Sequence, residues 1–239
     1  MPVNNNLENP LVTVFVPAYN EEKLLAETLE RLKNQDYDGE YELMVIDNAS
    51  TDRTAGIARK AGARLINEPA KGNRFAVERG FKEAKGEIVV QTDADSRPGR
   101  EFLRKIMAPY ADPKVVGCGT RIEFLGVSPV FNNLYKLAAI LNPREAMWGP
   151  SLSARKWAWK KIGGFNKGFD INSDGYFTLQ LRKIGKVAIV KDYYLPVSGR
   201  RYQGNFLKVI KNSMELNVSS IFMILTGRPL IRRPYKDIR

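Results

Sequence analysis

The 239-residue sequence contains no histidine, a single cysteine and no long hydrophobic run. Without histidine, any metal ligand or general base must be a carboxylate or another side chain. The lone Cys118 excludes a disulfide within the chain and indicates a reducing compartment. No apolar run reaches about 18 residues, and the polar first ten residues lack the features of a secretory signal. These absences predict a cytoplasmic protein without a membrane-spanning helix.

The sequence does contain enough apolar material for one large domain, and its charge is uneven. Hydrophobic residues make up 44% of the chain and charged residues 27%, which is ordinary for a globular protein. The net charge of +12 divides into about −3 for residues 1–100 and about +15 for the remainder. This basic second part favours an anionic partner, such as nucleotide phosphates, anionic lipid or nucleic acid.

Strand-like and helix-like segments alternate in the first hundred residues. Short β-branched runs at 11–17, 41–47, 63–68 and 87–93 alternate with amphipathic or capped segments at 21–35, 50–62 and 71–86. This alternation predicts an α/β fold with a mostly parallel sheet. Further along the chain, the pattern predicts strands at 115–124 and 187–198 and helices at 130–142, 153–165 and 174–185.

Polar clusters follow three of the predicted strands: "PAYNEE", "DNASTD" and "DADS". Ligands of parallel sheets bind beyond the carboxyl ends of the strands, so the three clusters are expected at one edge. Asp93 and Asp95 have two interpretations. They can form a turn with a helix cap, or they can bind Mg²⁺ or Mn²⁺, which prefer carboxylate oxygens and share a bound diphosphate.

The combination of these motifs resembles the family-2 glycosyltransferases, an inverting family with the GT-A fold. The resemblance rests on "VPAYNEE", "VIDNASTDRT", "KGNRFAVERGFKEAKGE" and "DADSRP", and it extends from about Leu11 to Arg201. It implies a metal-dependent enzyme that uses a nucleotide sugar. It further implies a metal held by Asp93 and Asp95, and donor contacts from Pro17, Tyr19, Glu21, Asp47, Asp93 and Ala94. The family often has two acids where this chain has Asp47 followed by Asn48, which leaves UDP, GDP and dTDP donors open.

Arginines are the candidate ligands of the donor phosphates, since no Gly-rich phosphate loop is present. The candidates are Arg74, Arg121, Arg200 and Arg201, and the alternative for each is a solvated surface arginine. Arg121 stands in a context similar to that of an arginine in polyprenyl-phosphate mannose synthases of the same family. Related transferases often carry a basic pair where Arg200 and Arg201 stand.

An inverting transfer to a hydroxyl group needs a general base. Alignment of the glycines at 163, 164 and 185 with the family pattern places Asp174 at the base position, with Asp170 as its competitor. Trp148 is expected to line the acceptor pocket, because aromatic rings stack on sugars; core packing is the alternative for it.

The sequence predicts a glycosyltransferase domain at 1–203, with a nucleotide-sugar half at about 11–98 and an acceptor half at about 99–203. Residues 204–239 are predicted to form a basic amphipathic tail, either packed on the domain or lying at the cytoplasmic face of a membrane. The first functional hypothesis is sugar transfer to a hydroxyl acceptor, saccharide or lipid-linked. A polyprenyl-phosphate sugar synthase is the second. The third, a non-enzymatic nucleic-acid-binding protein, is disfavoured because no recognised module appears.

Overall fold

The computed structural model describes residues 10–141, 146–165 and 173–202, with the side chains of all of these except 138–141, 173 and 201. Within these residues, seven strands form one sheet in the order β3-β2-β1-β4-β6-β5-β7. The strands are β1 Val12–Ala18, β2 Tyr41–Asp47, β3 Arg64–Asn67, β4 Ile88–Gln91, β5 Val115–Leu125, β6 Ser153–Arg155 and β7 Lys186–Ser198. All run parallel except β6, which pairs antiparallel with both β4 and β5.

Helices cover both faces of the sheet, because its strands are apolar on both sides. They are α1 Leu25–Lys33, α2 Thr54–Lys60, α3 Asn73–Glu83, α4 Phe102–Met107, α5 Pro129–Leu141, α6 Lys156–Lys161 and α7 Ser173–Arg182. Alternate side chains of β1 enter two separate cores. Val14 and Val16 pack in one core with Leu25 of α1, while Phe15 packs in the other with Phe81 of α3.

An aromatic cluster on the second face holds α3, α6 and α7 together. The Phe81 ring stacks on Trp159 with centroids 5.8 Å apart, and Phe165 stacks on Phe177 at 4.3 Å. Helix α3 lies so close to β1 that a Cβ at Gly80 would come within 2.3 Å of the Phe15 ring. This cluster fixes the start of α7, where the candidate base Asp174 lies.

The alternation predicted for the first hundred residues is confirmed, but the single helix predicted over 153–165 is wrong at its start. Ser153–Arg155 is strand β6, and the helix begins only at Lys156. The strand fills the space between β4 and β5, and the buried Arg155 guanidinium donates to the carbonyls of Val115 and Tyr110. Three residues are too few to show the alternation that marks a strand.

None of the helices in the described part of the chain is both long enough and apolar enough to cross a membrane. The proposed tail, residues 204–239, lies outside the described residues.

Candidate active site

The loops that follow β1 and β2 are joined to each other at the carboxyl edge of the sheet. The Asn20 backbone N–H donates to Ser50 Oγ at 3.0 Å, and Asn20 Oδ1 accepts from the Thr51 N–H at 2.9 Å. The Glu21 N–H donates to Thr54 Oγ1 at 2.8 Å. Asn20 has a left-handed φ of 52°, which asparagine tolerates better than most residues. The two loops therefore form one ordered wall of the site.

Asp52 completes this wall at the start of α2. Its Oδ1 accepts from the Thr54 N–H at 2.9 Å, and its Oδ2 accepts from the Glu22 N–H at 3.1 Å. Burial raises the pKa of Asp52, but the hydrogen bonds from Thr54 and Glu22 outweigh burial and the pKa is lowered overall. The carboxylate therefore stays ionised and holds the start of α2 to the loop after β1.

The "DADS" segment follows β4 and is fixed from two sides. The buried Thr28 hydroxyl of α1 lies 2.8 Å from the Ala94 carbonyl and 2.9 Å from that of Ser96, within hydrogen-bonding distance of both. On the other side, the Ser198 N–H donates to the Asp95 carbonyl at 3.2 Å, which joins the segment to the end of β7. The Ala94 side chain is buried in the core, whereas Asp93 and Asp95, on either side of it, are only partly buried at this edge.

Three charged side chains from distant parts of the sequence meet at this edge. Arg200 Nη2 lies 2.5 Å from Glu21 Oε1 and 3.0 Å from Asp95 Oδ2, and Arg200 Nη1 lies 3.2 Å from Glu21 Oε2. The side chains of Glu21, Asp95 and Arg200 are 4%, 15% and 39% exposed. The arginine thus joins the loop after β1 to the loop after β4.

The residues present fit a divalent cation that is bound together with a diphosphate. Asp93 and Asp95 supply hard carboxylate oxygens, and the guanidinium on Asp95 shows that this carboxylate already attracts a cation. Among the described residues, no group of three or more acids, histidines or cysteines could form a complete protein cage. The remaining ligands would then be phosphate oxygens and water, as is usual for Mg²⁺ at nucleotide sites.

The region expected to hold the nucleotide base contains two buried polar residues at the end of β2. Asp47 Oδ1 accepts from the Ser50 N–H at 3.2 Å. Asn48 Nδ2 donates to the carbonyls of Glu68 and Ala70 at 3.1 and 2.7 Å, and Asn48 Oδ1 accepts from the Gly72 N–H at 2.8 Å. The amide of Asn48, where the family often has an acid, therefore holds the loop before α3.

Replacing Asn48 by aspartate is expected to destabilise the protein by about 1–3 kcal/mol at pH 7. The new carboxylate would face two carbonyl oxygens in place of the Nδ2 donors. Because a protonated aspartate can donate a hydrogen bond, the difference from wild type should shrink as pH falls towards 4. Urea unfolding of both proteins at several pH values measures this, and equal stability at pH 7 would contradict it.

Three other predicted donor contacts flank this region. Pro17 lies within β1 and is buried, and the Tyr19 ring has the Lys71 ammonium 5.5 Å from its centroid. The guanidinium of Arg74, in the first turn of α3, lies 4.3 Å from the ring centroid of Phe75. Lys71 is a candidate for phosphate or base contact that the sequence reasoning missed. Its position beside Tyr19 depends on a loop-to-loop contact that the sequence pattern does not encode.

Asp174, the predicted general base, lies in the first turn of α7. Its Oδ2 accepts from the Gly149 N–H at 3.2 Å, and its Oδ1 accepts from the Gly175 N–H at 2.9 Å. A Cβ at Gly149 would lie 3.4 Å from Nε2 of Gln91, the last residue of β4. Gly149, the hydrogen-bond partner of Asp174, therefore lies beside the end of β4.

Trp148 precedes Gly149 and is 37% exposed. Its ring centroid lies 5.7 Å from that of Tyr135 in α5, in an edge-to-face arrangement. The indole is therefore only partly used in packing and keeps surface for a ligand. The competing base Asp170 lies outside the described residues.

A second cationic cluster surrounds Tyr194 of β7. Arg121 Nη1 donates to the Tyr194 hydroxyl at 3.2 Å, and the Lys136 ammonium lies 5.0 Å from the Tyr194 ring centroid. Arg121 of β5 pairs in register with Tyr194 near the carboxyl edge. Lys136 also forms an ion pair with Glu123 at 2.6 Å. The side chain of Arg201 is not among those described.

The mostly parallel α/β sheet, with Asp95 and Arg200 in contact at its carboxyl edge, has the architecture of the GT-A-like class. The model of "Glycosyl transferase family 2" matches residues 13–149, more than half of the chain. The chain belongs to this family, which confirms both the resemblance and the fold class.

Sequence relatives in this family act on different sugars. The chain is 31% identical over 144 residues to a dolichol-phosphate mannosyltransferase of Pyrococcus furiosus, covering 57% of this chain and 41% of that protein. It is 36% identical over 117 residues to an undecaprenyl-phosphate 4-deoxy-4-formamido-L-arabinose transferase of Edwardsiella ictaluri, covering 44% and 36%. The chain thus spans about two fifths of the length of these relatives.

Solved structures share the fold. A mannosyltransferase of Pyrobaculum calidifontis in complex with GDP-Man and Mn²⁺ superposes with a TM-score of 0.74 at 24% identity, covering 92% of this chain and 66% of that one. Glucosyl-3-phosphoglycerate synthase of Mycobacterium tuberculosis, with Mn²⁺, UDP-glucose and phosphoglyceric acid, gives 0.63 at 19% identity, covering 92% and 81%. At these identities the likeness shows the fold alone.

Proposed function

We propose that this chain transfers a sugar, with inversion, from a nucleoside-diphosphate sugar to a hydroxyl acceptor, using Mg²⁺ or Mn²⁺ held by Asp93 and Asp95. The observation that carries the proposal is the contact of Arg200 with both Glu21 and Asp95 where β1, β4 and β7 end. Cationic and carboxylate groups are thereby gathered at the edge where parallel sheets bind nucleotides.

In this proposal the groups have the following tasks. The cation, when bound, neutralises the charge that develops on the leaving diphosphate. Arg200 adds fixed donors for the phosphate oxygens, with Arg74 and Arg201 as further candidates. Pro17, Tyr19, Glu21 and Asp47 border the nucleoside. Asp174 accepts the proton of the acceptor hydroxyl, and its hydrogen bonds from two backbone N–H groups orient the carboxylate.

An exposed apolar stripe on α5 supports a lipid-linked acceptor and a peripheral position at a membrane. Val130, Leu134 and Leu137 recur at helical spacing and are 68%, 60% and 51% exposed. Tyr135 on the same helix contacts Trp148 of the acceptor side. The proposed domain at 1–203 would then work at the cytoplasmic face, with the basic tail at 204–239 adding attraction to anionic lipid.

A second candidate acceptor is a lipid phosphate. It is favoured by the two cations around Tyr194, Arg121 and Lys136, and by the names of the two sequence relatives, whose acceptors are dolichol phosphate and undecaprenyl phosphate. Such an acceptor is already an anion and needs no general base. Family membership favours either transferase over a nucleic-acid-binding protein.

Thermal shifts test the donor directly. UDP-, GDP- and dTDP-sugars are compared with and without Mn²⁺. A ligand that binds only the folded protein raises the melting temperature by an amount set by its concentration and Kd. We expect one nucleotide to give a clear shift that depends on Mn²⁺. No shift with any of them would contradict the proposed function.

A further inference from the structure

Arg200 is attached at a fixed point of the backbone but has a long side chain that reaches into the site. The preceding Gly199 donates its N–H to the Leu125 carbonyl at 2.8 Å. The ring of Tyr202, two residues later, lies 4.6 Å from the ring centroid of Phe124. The guanidinium can therefore exchange partners by side-chain rotation, without movement of β7.

The guanidinium contacts the same carboxylate that is proposed to hold the cation. Arg200 Nη2 lies 3.0 Å from Asp95 Oδ2, and a divalent ion on that oxygen would repel the positive charge beside it. Glu21 has a different position, because its carboxylate is only 4% exposed and meets both Nη atoms of Arg200. It can keep the arginine at the edge of the site after Asp95 has lost it.

We propose that Arg200 is a movable counter-ion, which neutralises Asp95 in the empty site and passes to the donor diphosphate when a divalent cation takes Asp95. Glu21 acts as the positioning residue that retains Arg200 through this exchange. The inference rests on the proposed function. The exchange couples the binding of metal and nucleotide. The metal releases Arg200 from Asp95 so that the arginine can bind the diphosphate, and the diphosphate neutralises the arginine that the metal has displaced.

Arg200→Gln is expected to change the affinities for the metal and for the nucleotide in opposite directions. Mn²⁺ alone, followed by electron paramagnetic resonance of the free ion, should bind about three- to tenfold more tightly, because its competitor is gone. UDP or GDP at saturating Mn²⁺, followed by calorimetry, should bind about ten- to a hundredfold more weakly, because a charged phosphate contact is lost. A purely structural arginine would weaken both.

Two variants serve as controls. Arg200→Lys keeps the positive charge and should leave the affinity for Mn²⁺ close to that of wild type. Arg97→Gln removes a cation from the neighbouring segment, where it pairs with Glu27 at 3.1 Å, and should leave the affinity for UDP or GDP unchanged. Melting temperatures of all variants, measured without ligand, report any loss of folding, and Arg200→Met, which also removes the charge, replaces Arg200→Gln in the comparison if that variant does not fold.

The role of Glu21 is tested by a double-mutant cycle. Glu21→Gln should weaken UDP or GDP binding more in the wild-type background than in Arg200→Gln, because the retained arginine is the route of its effect. Equal effects in the two backgrounds would overturn the retaining role.

The proposal that Arg200 is a movable counter-ion is overturned if Arg200→Gln leaves the Mn²⁺ affinity unchanged or lowers it. It is also overturned if the nucleotide affinity does not change. A wild-type protein that binds Mn²⁺ but none of UDP, GDP and dTDP would instead overturn the proposed function, so the two failures are distinguishable.

Discussion

Asp95→Asn and Asp93→Asn are each expected to lower the Mn²⁺-dependent affinity for the donor nucleotide by at least about 100-fold. An amide oxygen is a neutral, weaker ligand, so one of the two protein ligands of the cation is effectively lost. The substitution keeps the size of the side chain. Backbone carbonyls of residues 93–96 accept hydrogen bonds that hold the segment, and both substitutions leave these bonds in place. The loss of affinity should therefore occur without loss of folding. Calorimetry with UDP and GDP, with and without Mn²⁺, measures it.

Asp112→Asn is the matched control for these two variants. Asp112 is a surface acid that pairs with Lys186 at 2.9 Å, at the amino end of β7 and away from the site. Its replacement should leave nucleotide affinity unchanged. If Asp93→Asn and Asp95→Asn behave like the control, the cation does not bind at these carboxylates.

Asp174→Asn is expected to lower kcat by about 100- to 10,000-fold while nucleotide affinity stays near the wild-type value. The amide oxygen can still accept the Gly149 N–H, so the start of α7 should keep its geometry, but the side chain can no longer take a proton. Steady-state rates with the identified donor and acceptor, beside donor calorimetry, separate the chemical step from binding.

The same variant decides between the two acceptors. A phosphate acceptor needs no base, so Asp174→Asn would then have little effect, and Arg121→Gln would instead raise the KM for the acceptor. Asp112→Asn again serves as the unaffected control. A large loss with Asp174→Asn and little change with Arg121→Gln supports the hydroxyl acceptor.

Much of the fold could be predicted because its signals are local. Strand β1, a short run rich in β-branched residues, and the helix that buries Leu25 and Leu29 show their patterns within a few residues. The short strand Ser153–Arg155 could not be predicted, since it forms by filling a gap between β4 and β5 that exists only in the folded sheet.

The site was predictable only in part for the same reason. Asp93 and Asp95 stand out because they end an apolar run, whereas Asn48 shows its role only through contacts with carbonyls 20 and 22 residues away. The contact between Glu21 and Arg200 spans 179 residues. Family resemblance indicated both residues separately, as donor contacts, and only the folded chain brings them together.

The position of the cation is the most direct test of the whole account. Crystals grown with Mn²⁺ and UDP or GDP, measured at the manganese absorption edge, reveal the ion by its anomalous scattering. The account predicts a manganese peak within about 2.5 Å of carboxylate oxygens of Asp93 or Asp95 and of the diphosphate. A nucleotide bound at this edge with manganese absent from both carboxylates, or with the peak at another site, would contradict it.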